Sequence, residues 1–238
     1  MPLPKISTPT YELTLPSNKK KIKYRPFLVR EEKILIIAME SEDTTQITNA
    51  ISEVLNSCIL TKGIDVESLP TFDIEYLFLH VRAKSVGESV DVIVTCADDG
   101  ETQVPVSIDL QDIEVTFDEK HSRDIKIDDT LSMRMKYPSL DQFIKNNFDF
   151  DGRNIDNSFQ VIAGCIEQIY NAEEAWSASD STQKELIEFL EQLGTKQFKE
   201  IEEFFNTMPK LSYTIKVINP NTKVENEVVL EGLSSFFG

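Results

Sequence analysis

The hydrophobic period switches once, within the stretch Thr71 to Gly100, TFDIEYLFLHVRAKSVGESVDVIVTCADDG. That switch constrains the fold more than any other feature of the chain. Ile74, Leu77, Phe78 and Val81 recur at i, i+3, i+4 and i+7, on one face of a helix. Pro70-Thr71 opens the helix, with Asp73 and Glu75 near the positive end of its dipole. Arg82 and Lys84 fall in its last turns and Gly87 ends it. Val90, Val92 and Val94 then alternate with Asp91, Ile93 and Thr95, the period of a strand. The strand meets a tight turn, Cys96-Ala97-Asp98-Asp99-Gly100, and returns along Gln103 to Leu110. Helix, strand and turn in so short a span require a mixed fold. Nothing in the stretch resembles a catalytic apparatus.

The segments on either side extend the pattern. Residues 1–28 read as an extended, proline-broken arm followed by a hairpin. Tyr11, Leu13 and Leu15 alternate with polar residues, Pro16-Ser17-Asn18 is a turn, and Ile22 and Tyr24 alternate with cations. Lys19, Lys20, Lys21, Lys23 and Arg25 form the one basic cluster. It is either a charged edge strand that blocks edge-to-edge pairing or a docking surface. The run Ile34 to Met39 fits a buried strand or a short helix, and Glu31, Glu32 and Lys33 before it favour the helix. Asp43 or Thr44 caps the next, whose face is Ile47, Ile51, Val54, Leu55 and Cys58, with Lys62-Gly63 as its stop. After Leu110 come short strands at Ile113–Phe117, Ile125–Ile127 and Leu131–Met135. Leu140 and Phe143 mark a short helix. The acidic stretch Asn146 to Asn157 fails the EF-hand spacing, because Gly152 comes too early and Gln160 replaces the bidentate glutamate. Three helical stripes follow: Phe159, Ile162, Ile166, Ile169; then Leu186, Phe189, Leu190, Leu193; then Phe198, Ile201, Phe204, Phe205. Trp176 lies between the first two as a packing anchor. Gly194-Thr195 is a stop and a cap in adjacent residues. Residues 211–230 read as a last hairpin, and Leu233, Phe236 and Phe237 as an apolar tail.

That last hairpin echoes the hairpin around Cys96 to Gly100. TIKVINP (Thr214 to Pro220) lies like DVIVTCA (Asp91 to Ala97), so Asn219 falls where Cys96 falls. Cys96 to Gly100 has the outline of a CPxCG zinc knuckle, with Asp99 in place of the second cysteine. Asn219 to Lys223 has the same outline, with Asn219 and Thr222 at the cysteine positions. A structural zinc site needs about four Cys or His ligands. One cysteine of a possible four remains, and His80 and His121 are not placed to substitute. The expectation is a degenerate zinc-ribbon-like pair held by hydrogen bonds and packing, without metal. Two ordinary hairpins of no metal ancestry are the alternative.

Composition narrows the function classes. The net charge of −17 argues against non-specific nucleic-acid binding and favours basic protein partners. The start of the chain has no apolar signal core, and Ile34 to Met39 is too short to span a bilayer. Three widely spaced cysteines, Cys58, Cys96 and Cys165, imply a reducing compartment without a disulfide framework. Cys58 reads as a small core residue, and Cys96 as the most exposed thiol. No GxGxxG, Walker, GxSxG or HExxH motif occurs, and two histidines support little acid–base or metal chemistry. No catalytic residue, cofactor or bound metal is expected.

Several stretches together resemble a known family. LPSNKKKIKYRPFLVREEKILIIAMES, FDIEYLFLHVRAKSVGE, QFKEIEEFFNTMPKLSYTI and the terminal VVLEGLSSFFG occur here in the order that resembles the baseplate hub proteins of T-even-like contractile-tailed phages. The resemblance spans residues 9 to 237. It implies a non-enzymatic hub subunit or a transient assembly chaperone absent from the virion. It also implies other baseplate and hub proteins as partners, with neither nucleic acid nor membrane. The expected locations are the virion tail baseplate and, during assembly, the host cytoplasm. A degenerate zinc-ribbon binding module or enzyme is the alternative from another class. The overall expectation is an α+β chain of helical segments and antiparallel hairpins. Its segments are an arm and hairpin (1–28), an α+β domain ending in antiparallel strands (29–137), and a helical segment with a C-terminal hairpin and apolar tail (138–238). The candidate partner-binding residues are Lys19, Lys20, Lys21, Lys23, Arg25, Leu233, Phe236 and Phe237.

Overall fold

The computed structural model describes residues 6–140, 155–232 and 235. In chain order the elements begin with β1 (Tyr11–Thr14), β2 (Lys21–Tyr24), α1 (Val29–Glu40), α2 (Thr44–Cys58) and α3 (Thr71–Ser85). Next come β3 (Ser89–Thr95), β4 (Gln103–Asp109), β5 (Glu114–Thr116), β6 (Asp124–Lys126) and β7 (Ser132–Met135). The chain closes with α4 (Ile155–Gly164), β8 (Ile166–Tyr170), β9 (Ala175–Ser177), α5 (Gln183–Glu191), α6 (Thr195–Thr207), β10 (Lys210–Ile218) and β11 (Glu225–Glu231). The fold is α+β and every sheet is antiparallel. It divides into two compact units, Met1–Thr116 with Lys210–Gly238, and Phe117–Pro209. No described helix is long and apolar enough to cross a membrane.

In the first unit α3 is the central element. Ile74, Leu77, Phe78 and Val81 are buried as the periodicity requires, but so are Phe72, Leu79 and Ala83 on the opposite side. A helix apolar all round belongs in an interior. Leu79 and Ala83 join a cluster with Val92, Val94, Ile108 and Leu110 of the β3–β4 hairpin and Leu211, Ile215 and Val217 of β10. Each large side chain buried this way contributes about 1.5–3 kcal/mol. The β10–β11 hairpin gains a third strand from β5, through Leu211↔Val115. Asp73 is buried at the start of α3, where it accepts the Ser17 backbone N–H at 3.0 Å and the Ser17 hydroxyl. That contact pins the β1–β2 turn to the central helix.

α1 starts on a buried carboxylate. Glu31 accepts the Leu28 N–H at 2.8 Å, Arg25 Nη2 at 2.8 Å and Arg30 Nε at 2.7 Å. Burial opposes its charge, yet these hydrogen bonds prevail and hold the carboxyl down to about 2. Asp43 caps α2 by accepting from the Thr45 and Gln46 N–H groups. The helix stops at Cys58, before the expected Lys62-Gly63, because β2 captures the chain. Tyr24 bridges Ile59, and Arg25 N–H donates to the Cys58 carbonyl at 3.0 Å.

The second unit sets α4, α5 and α6 against a sheet ordered β6-β7-β8-β9. The stripe Phe159, Ile162, Ile166, Ile169 is not one helix. α4 ends at Gly164, and Ile166 and Ile169 lie on β8 opposite Met135 and Met133. A bulge in β8 produces the helix-like spacing. Arg134 pairs with Gln168 while Met135 pairs with Ile166, so Glu167 is an extra residue without an opposite. The bulge puts residues three apart on one strand face, a spacing that periodicity assigns to a helix. Trp176 is no buried anchor: it sits 45% exposed on edge strand β9, opposite Ile169. Gly194, expected as a stop before a Thr195 cap, is itself the N-cap of α6, its N–H held by the Gln197 side chain at 2.6 Å, and Thr195 is the first helical residue. Phe143, Asp149, Asp151, Gly152 and Asn154 lie outside the described residues, while Asp156 falls within α4.

Candidate functional site

The β3–β4 and β10–β11 turns close in the same way. Cys96 N–H donates to Thr102 O at 2.8 Å and Gly100 N–H to Cys96 O at 3.0 Å. Asn219 N–H donates to Val224 O at 2.9 Å and Lys223 N–H to Asn219 O at 2.9 Å. Each turn begins on a fully buried residue, Cys96 or Asn219. Each reaches a left-handed residue four positions on, Gly100 at φ 69° and Lys223 at φ 65°. Glycine adopts that conformation without cost and lysine does not, so Lys223 is held there by its surroundings.

The two turns are stitched together by side chains. Asn219 Nδ2 donates to Asp98 Oδ1 at 2.9 Å and to Asp99 Oδ2 at 2.8 Å. The Thr222 hydroxyl donates to Asp98 Oδ2. Asn221 Nδ2 donates to Thr102 Oγ1 at 3.0 Å, and Asn226 Oδ1 accepts the Asp98 N–H at 2.9 Å. Asn219 Oδ1 meanwhile accepts the Asn221 N–H at 2.8 Å and the Thr222 N–H at 3.3 Å. Hydrogen bonds from Asn219 and Thr222 hold the Asp98 carboxyl below its ordinary range. Those from Thr102 and Asn219 hold Asp99 well below it.

The sequence-derived positions Asp99, Asn219 and Thr222 therefore come together, and Cys96 heads the same turn with its side chain turned to the core. Their donor set is one thiol, one carboxylate, an amide and a hydroxyl, a poor match to the thiolate and imidazole ligands of structural zinc. Among the described residues no three of His, Cys, Asp and Glu gather in an arrangement suited to a metal ion. Asp98, Asn221 and Asn226 complete the junction and were not singled out from sequence. Their one sequence signal is the density of Asn and Asp in both turns.

Cys96 is buried, not exposed as the sequence suggested. It points inward among the strand valines, and burial with the neighbouring Asp98 and Asp99 carboxylates pushes its thiol up. Burial raises Cys58 to about 11 and Cys165 to about 12. His80 donates to its own helix at Tyr76 O, 2.9 Å away, and His121 bonds Thr207 Oγ1 at 3.0 Å while stacking on Tyr137. Burial lowers both imidazoles. A cleft of about 600 Å³ in the second unit is lined by Lys136, Gln160, Gly164, Glu167, Ser179 and Gln183.

Four of the five cations of the basic cluster lie on the surface of the β1–β2 hairpin. Lys19, Lys20, Lys21 and Lys23 are exposed, while Ile22 and Tyr24 alternate with them into the core. Lys23 meets Glu12 across the strands at 3.4 Å, both groups largely in solvent. Arg25 leaves this set, because its side chain is only 12% exposed and bonds Glu31 and the Pro26 carbonyl. It anchors α1 and presents no free cation. Leu233, Phe236 and Phe237 lie outside the described residues.

A family model described as T4 bacteriophage base plate protein matches residues 8–238. No curated protein and no solved structure matches the chain.

Proposed function

We propose, because this chain belongs to the T4 bacteriophage base plate protein family, that it is a subunit of the central hub of the tail baseplate and acts by protein–protein contact without catalysis. The family makes it a baseplate structural or assembly protein of the virion tail. The hub, and the absence of chemistry, are the narrower steps. The observation that carries the contact is the lysine hairpin. On a chain of net charge −17, four exposed lysines project from one hairpin whose turn is fastened to α3 through Ser17 and Asp73. A preordered cationic tip of this kind suits an acidic neighbouring protein, because little side-chain and loop entropy is lost on docking.

Quantitative mass spectrometry of purified virions beside infected-cell lysate tests the reading. A fixed ratio to known baseplate proteins supports a hub subunit. Abundance in lysate with absence from virions overturns that and makes the protein a transient assembly factor. The hairpin is tested separately. Lys20→Glu, Lys21→Glu and Lys23→Glu together weaken binding to the hub partner by roughly tenfold to a hundredfold and flatten its salt dependence. Unchanged assembly would remove the hairpin from the mechanism.

A further inference from the structure

α1 is inside out. Only Glu31 and Ala38 are buried along it, and Glu31 is already occupied by Arg25, Arg30 and the Leu28 N–H. Val29, Lys33, Ile36, Ile37 and Glu40 follow at i, i+4, i+7, i+8 and i+11, and all five are exposed. Val29 is 79% exposed, Ile36 50% and Ile37 55%, with Met39 alongside. β-branched residues are indifferent helix formers, so propensity does not explain three of them on the wet side. An apolar strip of this kind marks an interaction face.

The strip also carries its own complement. In chain order its outer face reads cation, isoleucine, isoleucine, anion: Lys33, Ile36, Ile37, Glu40. Lys33 and Glu40 are two helical turns apart, too far to pair with each other. Neither takes part in an ion pair among the described residues. Place a two-fold axis between Ile36 and Ile37 and run a second α1 antiparallel. Lys33 then faces Glu40 of the second copy, and Glu40 faces Lys33 of the second copy, because each stands three and a half residues from the axis. An isologous contact demands this self-complementarity, which an unrelated partner does not.

We propose that the outer face of α1 is the two-fold contact of a homodimer. Ile36 and Ile37 interleave at its centre, and two Lys33–Glu40 pairs fix the antiparallel register. The dimer does not depend on the hub reading.

Sedimentation equilibrium of the full chain at physiological ionic strength tests it. There the Debye length is about 8 Å, so the charge on each copy is screened. The native chain is expected to dimerise. Ile36→Glu weakens association by roughly a hundredfold, since the change is made twice at the centre of the contact. Lys33→Glu weakens it by about tenfold, and Lys33→Glu with Glu40→Lys returns it to within about threefold of native. Circular dichroism shows each variant folded, as substitution of exposed residues allows. A chain that stays monomeric, a dimer indifferent to Ile36→Glu, or a charge swap that fails to rescue overturns the proposal.

Discussion

Replacing Asn219 by alanine cuts the stitch between the two turns at its centre. The Asn219 side chain is fully buried and makes four hydrogen bonds, two donated to Asp98 and Asp99 and two accepted from the Asn221 and Thr222 amides. A net hydrogen bond is worth about 0.5–1.5 kcal/mol. The carboxylates and the turn amides lie near solvent and regain water in the variant, which offsets part of the loss. The expected destabilisation is therefore about 2–4 kcal/mol, at the lower end of the four-bond total. In a unit of this size each kcal/mol moves the melting point by roughly 3 °C, so Tm falls by roughly 6–12 °C. Urea unfolding followed by circular dichroism measures the change directly, with the slope m expected to hold and the midpoint to fall. Asp98→Ala should be non-additive with Asn219→Ala, because the two residues share a bond. A loss below about 1 kcal/mol, or additivity of the two changes, would refute the idea that this junction holds the hairpins together.

Three further outcomes follow from the same structure. Glu31, Asp98 and Asp99 have carboxyls held below their ordinary values in the folded state, so their stabilisation is complete above about pH 4.5 and is lost as pH falls toward 2. Urea midpoints across that range should decline, and Glu31→Gln should give a shallower decline from a lower neutral-pH start. The three buried thiols, all raised by burial, should be silent to a thiol reagent in the native chain and react fully in denaturant; a fast-reacting native thiol would contradict their placement. Deleting Glu167 removes the bulge yet leaves Ile166 and Ile169 on one strand face, so it should cost no more than about 2 kcal/mol, whereas deleting Arg134 turns Met133 or Met135 outward and should unfold the unit by circular dichroism.

Much of the secondary structure is legible in the residues themselves. The face of α3, the Asp43 cap, the lysine-lined hairpin and the β3–β4 and β10–β11 hairpins follow from period, cap and turn chemistry. Such signals are local, because they state which side chains share a face of one element. They do not state which faces meet. The second buried side of α3, the burial of Cys96 and the pairing of β5 with β10 exist only because distant segments close over them. Ile166 and Ile169 show the limit from the other direction, since a single bulge lets a strand imitate a helical spacing. Asn219 shows it most directly. Its sequence position matched that of Cys96, but the bonds to Asp98 and Asp99 arise from a neighbour more than a hundred residues away. The apolar run of α1 was readable as helix from sequence. That Ile36 and Ile37 face outward was decided by Glu31, whose buried bonds to Arg25 and Leu28 fix which side of the helix turns in.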